Sequence, residues 1–166
     1  MKYAVIENGV VTNIAEADEA FAAEQGWVQS DTAQIGWTYD GETFTPPAPK
    51  PITSAQVVAE RSRRLALGFD YDFADARGVH RIGTTPDDMR GWEEVSTWAS
   101  SAIALGDGSS SLTVVTDTGA VTVTALEWQR ILAAATAFRQ PIWGASFTLQ
   151  AMDPIPQDYA SDTHWP

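Results

Sequence analysis

Thr45-Pro46-Pro47-Ala48-Pro49-Lys50-Pro51 is the stretch that decides how this chain is organised. Closely spaced prolines fix φ and remove backbone donors, so the segment reads as extended polyproline II. It neither joins a sheet ladder nor continues a helix. At ~3.1 Å per residue such a strap, residues 45–51, spans roughly 20 Å. It separates a β-hairpin module at 1–44 from a larger region at 52–166. That layout suits a connector in an assembly better than a one-piece enzyme.

On the N-terminal side, Tyr3-Ala4-Val5-Ile6-Glu7 and Val10-Val11-Thr12-Asn13-Ile14 flank Asn8-Gly9. Asn-Gly between β-rich runs predicts a hairpin, because both turn positions of a type I′ turn need positive φ. Asp18 predicts the cap of a short helix over about 19–25, ended by Gly26, with Trp27-Val28 as a short strand after it. Ile35-Gly36-Trp37-Thr38-Tyr39 and Glu42-Thr43-Phe44 predict a second hairpin about Asp40-Gly41. A module this small, with Trp27, Trp37, Tyr39 and Phe44 as its bulk, is marginal alone and gains stability by docking on a partner. Those four aromatics and Trp165 are the candidate interface residues, since tryptophan and tyrosine are enriched where proteins meet.

On the C-terminal side, Thr53 and Gln56 form a capping box, with Ile52 and Val57 at the staple positions. The helix they open runs to Leu67 and stops at Gly68. Phe69–Phe73 alternates as a half-buried strand, and Val79–Ile82 returns after Asp75-Ala76-Arg77-Gly78. Thr85 and Pro86 open a second helix carrying Met89, Trp92, Val95, Trp98, Ala99, Ala102 and Ile103 at 3–4 spacing. Leu112–Thr116 and Ala120–Val123 form another hairpin through Asp117-Thr118-Gly119. Thr124 and Glu127 cap a third helix, which Pro141 is expected to kink or break before the pattern resumes over 142–152. The two hairpins are loosely similar, each feeding a threonine-capped helix with an early tryptophan. Helices and antiparallel hairpins in this order predict an α+β fold.

Charge narrows the partners. The net charge is −12: two lysines against eight acids in 1–51, and eight arginines against fourteen acids in 52–166. An acidic surface repels phosphate backbones and anionic lipid, so nucleic acid and membrane surfaces are poor partners. No apolar run approaches the ~20 residues of a membrane span, and Met1-Lys2-Tyr3 leads straight into a strand pattern. Synthesis in the cytosol is the expectation. The absence of cysteine removes disulfides, thiolate chemistry and cysteine-type zinc sites.

The residues that ordinarily carry chemistry are few, and each has a plainer role. His80 lies in strand alternation and His164 in the tail, with no G-x-S-x-G motif to support a triad. Asp70, Asp72 and Asp75 lack the ligand spacing of a calcium loop. Gly106-Asp107-Gly108-Ser109 lacks the lysine of a phosphate loop. Arg61, Arg63 and Arg64 sit near a helix C-terminus, where cations favour the dipole, so a solvated face is preferred to an anion-binding patch. Glu127 belongs to its capping box, and Glu93-Glu94 reads as a solvated face. Trp92, Trp98, Trp128, Phe138, Trp143 and Phe147 read as core, though Trp128 also suits an interface anchor. No catalytic, cofactor-binding or metal residues are assigned.

Several stretches resemble a family. Arg63-Arg64-Leu65-Ala66-Leu67-Gly68-Phe69, Arg81-Ile82-Gly83-Thr84-Thr85, Gly91-Trp92, Thr124-Ala125-Leu126-Glu127-Trp128 and Phe138-Arg139-Gln140-Pro141-Ile142-Trp143 together resemble a domain of unknown function from tail-region proteins of tailed bacteriophages. The resemblance covers about residues 56–166. The N-terminal module, with its Asn-Gly hairpin and Ile35-Gly36-Trp37-Thr38-Tyr39-Asp40-Gly41, is similar to the openings of tail-fibre-associated proteins. The resemblance implies a place in the virion tail, at tip, baseplate or fibre, among other phage tail proteins and further copies of itself. A tail-fibre assembly chaperone is the alternative, and a polysaccharide hydrolase using paired carboxylates is a third. No catalytic residues come with the resemblance.

Overall fold

Asn8 and Gly9 adopt φ of 53° and 76°, and the hairpin they close starts the chain. The computed structural model describes residues 1–166 and divides the chain into two compact units, Met1–Lys50 and Pro51–Pro166. In the first unit, β1 (Lys2–Glu7) pairs antiparallel with β2 (Val10–Glu16), with a register shift between Val5 and Ile6. Helix α1 (Glu19–Glu24) follows, its N-cap Asp18 accepting from the Phe21 N–H. Strands β3 (Val28–Gln29), β4 (Thr38–Tyr39) and β5 (Phe44–Thr45) complete an antiparallel sheet in the order β3-β1-β2-β4-β5. Asp40 shapes the β4–β5 turn by accepting from the Glu42 and Thr43 N–H groups at 2.9 and 2.8 Å. Those bonds, Thr43 foremost, hold its carboxyl below the usual range. The core is small: Ala4, Val11 and Ala33, with Ile6, Ile14, Trp37 and Phe44 packed against them.

Two details of this unit differ from the expectation. Ile35, Gly36 and Trp37 form a turn, with Gly36 at φ 89° and the Trp37 N–H bonded to Gln34 O, so the strand is only Thr38–Tyr39. Thr45 belongs to the ladder, opposite Thr38, because it precedes the prolines and still has its N–H. Pro46 to Pro51 are exposed and lie outside any helix or strand.

The second unit is α+β. Helix α2 (Ser54–Leu65) begins at the Thr53–Gln56 capping box. Strands β6 (Phe69–Asp72) and β7 (Val79–Ile82) form a hairpin, α3 (Pro86–Ala104) follows, and β8 (Ser111–Thr116) pairs with β9 (Gly119–Thr124). Helix α4 (Ala125–Gln150) closes the order. At the end of α2, Gly68 sits at φ 73°, and a Cβ there would lie 2.6 Å from the Ile82 carbonyl oxygen. Only glycine lets α2 turn this closely into β6.

Helix α4 runs unbroken through Pro141, so the expected break does not occur. Proline removes the N–H that would reach the carbonyl of Ala137. Both residues are exposed, so that carbonyl is open to solvent and its lost partner is cheap to replace. The helix stays whole because each half is buried in a separate core. Its first half packs Trp128, Ile131 and Ala135 with Phe69, Ile82, Ala99, Val121 and Val123. Its second half packs Ile142 and Leu149 with Val57, Leu65, Ile155 and Trp165. Phe138 touches both clusters. No helix is long and apolar enough to cross a membrane.

Candidate functional site

Most of the polar residues singled out in the sequence hold the fold together. Arg64 is 7% exposed; its guanidinium bonds Glu60, the Ala160 carbonyl and Asp162 at 2.7, 2.9 and 2.7 Å. It thereby ties the irregular segment after α4 to α2. Arg63 makes a two-pronged pair with Glu60, and this contact, followed by Arg64, lowers the Glu60 pKa against the opposing effect of burial. Arg61 stacks over Trp143 at 3.9 Å. Arg61 and Arg64 are thus braces and not a solvated face, while Arg63 stays exposed as expected, and none of the three is left to form an anion patch. Trp165, an interface candidate, is 6% exposed and donates its Nε1–H to the Tyr159 carbonyl at 2.7 Å. It is a core residue: the segment after α4 folds back and buries it with Ile155.

The remaining interface candidates lie in the first unit and are half-buried. Trp27 meets Phe21 edge-on at 5.5 Å. Tyr39 lies against Phe44 at 4.5 Å and bonds the Gly41 carbonyl through its hydroxyl. Trp37 and Phe44 pack on the small core. Among the six aromatics read as core, Trp128 is buried, while Phe147 is 62% exposed and lies against Trp143.

His80 joins the two hairpins, its Nδ1 3.0 Å from Thr116 Oγ1. Alongside it, the Asp117 N–H donates to the Arg81 carbonyl. Asp70 pairs with Arg81, and Asp72 accepts from the Ala74 N–H. Arg77 is a hub: it pairs with Asp75 and Glu127 and donates to the Thr122 carbonyl at 2.8 Å. Its guanidinium holds the carboxyls of Asp75 and Glu127 down at about 2 each, far below their ordinary values. The Arg77 pKa rises correspondingly, through Asp75 first and then Glu127.

The candidate site lies elsewhere, in a groove of about 410 Å³ between the first half of α3 and strand β8. Asp87, Asp88, Gly91, Trp92, Glu94 and Val95 form the helical wall, and Thr113 to Asp117 form the strand wall. Trp92 and Trp128 meet there edge to face, 5.4 Å apart. No lysine or arginine lines the groove. A Cβ at Gly83 would lie 2.6 Å from Asp88 Oδ2 and 3.1 Å from Asp117 Oδ1, so glycine is what lets both carboxylates approach here. Asp88 is committed to the α3 capping box, its Oδ2 accepting from the Thr85 N–H and Oγ1 at 2.8 and 2.6 Å. Asp87 is ion-paired with Arg90. Glu94 and Asp117 are exposed and make no ion pair.

Apart from Trp128, which also suits an interface anchor, the sequence reading assigns none of these residues a functional role. Glu94 read as a solvated face, Asp117 as a turn residue and Gly91 only as part of a resemblance. An exposed glycine inside an amphipathic helix was the available signal. No protein-family model, curated protein or solved structure matches the chain.

Proposed function

We propose that this protein is a non-enzymatic structural component of a tailed-bacteriophage tail, at the tip, baseplate or fibre, where it connects other tail proteins and assembles with further copies of itself. The observation that carries this reading is the division into two compact units at a run of exposed prolines. Such a division lets each unit engage a different neighbour while the strap sets their spacing. The first unit supports the reading too, because a core of five buried residues, Tyr3, Ala4, Val11, Ala22 and Ala33, gains from burial against a partner. The tail context itself comes from the resemblance of residues 56–166 and of the N-terminal hairpin module.

A polysaccharide hydrolase needs two carboxyls free for proton transfer and attack. The groove brings Asp88 and Asp117 to the same glycine, yet Asp88 already accepts two hydrogen bonds as a helix cap. That commitment argues against the hydrolase. Mass spectrometry of purified virions from the phage that encodes the chain tests the proposal. A structural component is present in fixed stoichiometry with the other tail proteins. Its presence in infected cells but absence from finished particles would overturn the reading in favour of an assembly chaperone.

A further inference from the structure

Strand β8 has an open edge, and the reason lies in the register. Thr116 pairs with Gly119 across the two-residue loop Asp117-Thr118, which makes that pair the hydrogen-bonded one. Bonded pairs alternate along an antiparallel ladder, so Val114 with Val121 and Leu112 with Val123 are also bonded. Thr113 and Val115 therefore direct their N–H and C=O groups away from β9. The sheet has only these two strands; β7 reaches this side only beyond the strand's end, where the Asp117 N–H donates to the Arg81 carbonyl, and the backbone groups of Thr113 and Val115 meet no other strand. The opposite edge is different: the outward carbonyl of Thr122 on β9 is taken by Arg77.

The open edge forms one wall of the acidic groove. Natural proteins normally blunt such an edge with a lysine, a proline or a cover. Here Thr113 and Val115 lie in the groove, and Val115 is 85% exposed. The facing helix is also cut back. Gly91 lies in α3 with open space where a side chain would start, although glycine costs about 0.5–1 kcal/mol relative to alanine inside a helix. The walls carry Asp87, Asp88, Glu94 and Asp117 with no basic side chain among the lining residues.

We infer that this groove receives an extended, lysine- or arginine-bearing segment of a partner protein, added as a strand to the free edge of β8. Backbone groups of the segment pair with Thr113 and Val115, which supplies affinity without regard to sequence. Alternate side chains of a strand face opposite ways, so one set covers Val115 and the other reaches the carboxylates of the groove. A second copy of the chain is disfavoured as occupant, because it would bring two acidic walls together. The inference names a kind of partner for the connector proposed above and rests on that reading only for the partner's origin. Absence from virions would leave the binding result standing, and failure of binding would leave the virion result standing.

The full-length protein is titrated with a blocked seven-residue peptide of alternating lysine and valine, followed by calorimetry and by amide chemical shifts. Three control peptides accompany it: one with glutamate for lysine, and two N-methylated at either the odd or the even positions. The lysine peptide saturates and shifts the Thr113 and Val115 amides. The glutamate peptide binds at least about ten-fold more weakly, as does one of the methylated peptides, since only one register turns its N–H groups toward β8. Glu94→Gln with Asp117→Asn also weakens the lysine peptide about ten-fold, with an unchanged thermal melt. The inference is overturned if the lysine peptide does not bind, if lysine and glutamate peptides bind alike, or if both methylated peptides bind as well as the parent. Sedimentation showing that a second copy occupies the β8 edge also overturns it. The methylated peptides act on the wild-type protein, so the test holds even if a variant fails to fold.

Discussion

Replacing Trp128 with alanine empties the centre of the larger core. The indole is 3% exposed, meets Trp92 edge to face at 5.4 Å and 74°, and donates its Nε1–H to Ser96 Oγ at 2.9 Å. Truncating a buried tryptophan costs about 3–5 kcal/mol, against about 5–15 kcal/mol for a whole domain. Trp128→Ala is therefore expected to remove about a fifth or more of the stability. Two milder changes separate packing from the hydrogen bond. Trp128→Phe keeps much of the bulk and loses the donor, at about 1–2 kcal/mol. Ser96→Ala leaves an indole N–H without its acceptor, at about 1–3 kcal/mol. Combined, the two changes should cost less than their sum by about 1 kcal/mol, because the second no longer orphans a donor. Urea melts of the full-length variants, followed by circular dichroism, give all four values. A Trp128→Ala stability within about 1 kcal/mol of wild type would refute the packing argument, and a strictly additive double variant would refute the Trp128–Ser96 hydrogen bond.

Gly91→Ala should raise stability by about 0.5–1 kcal/mol, because the position is helical and open, while weakening the lysine peptide; a destabilised variant that still binds normally would show that the glycine serves α3 itself. Glu127 has an ordinary pKa of 4.5 lowered to about 2 by Arg77, so its contribution is complete above about pH 4.5 and fades as pH falls toward 2. Glu127→Gln should flatten the loss of melting temperature across that window, and an unaltered slope would count against the Arg77 hub. A fragment of residues 1–50 should be poorly ordered or self-associating, so a sharp cooperative melt of the monomer would contradict docking-dependent stability. Chelator should leave the melting temperature of the full chain unchanged, as Asp70 and Asp75 are paired with Arg81 and Arg77; a clear drop would reveal a bound cation.

Local chemistry made most of the fold readable. The hairpin at Asn8-Gly9 and the capping boxes at Thr53 and Thr124 are satisfied within four residues, so nothing distant overrides them. Readings failed where a distant contact decided the outcome. Pro141 should end a helix by local rules, yet burial of Ala135 on one side and Ile142 and Leu149 on the other keeps α4 whole. Trp165 looked like an interface anchor because nothing near it in sequence explains its burial. The explanation is Arg64, more than ninety residues upstream, which holds the Ala160–Asp162 turn in place.

The groove was illegible for the same reason, and the β8–β9 hairpin shows why. Its two strands, Ser-Leu-Thr-Val-Val-Thr and Gly-Ala-Val-Thr-Val-Thr, are both rich in threonine and valine, and both must leave one row of backbone groups unpaired. Sequence pattern specifies which residues pair but not which edge is later covered. On β9 the outward carbonyl of Thr122 receives the guanidinium of Arg77, a contact across 45 residues. On β8 no cation arrives; instead α3 stands opposite with Gly91 and a row of carboxylates. One hairpin thus carries an edge braced at Thr122 and an edge left open at Thr113 and Val115. Placing lysine on β8 should separate the two roles: Thr113→Lys sets a cation beside those carboxylates and blunts the edge, keeping the backbone bonds of the β8–β9 ladder and losing only the exposed Thr113–Thr122 hydroxyl contact. The thermal melt should hold or rise while the lysine–valine peptide loses its site. If that variant binds the peptide as well as wild type, the open edge is not what the peptide reads.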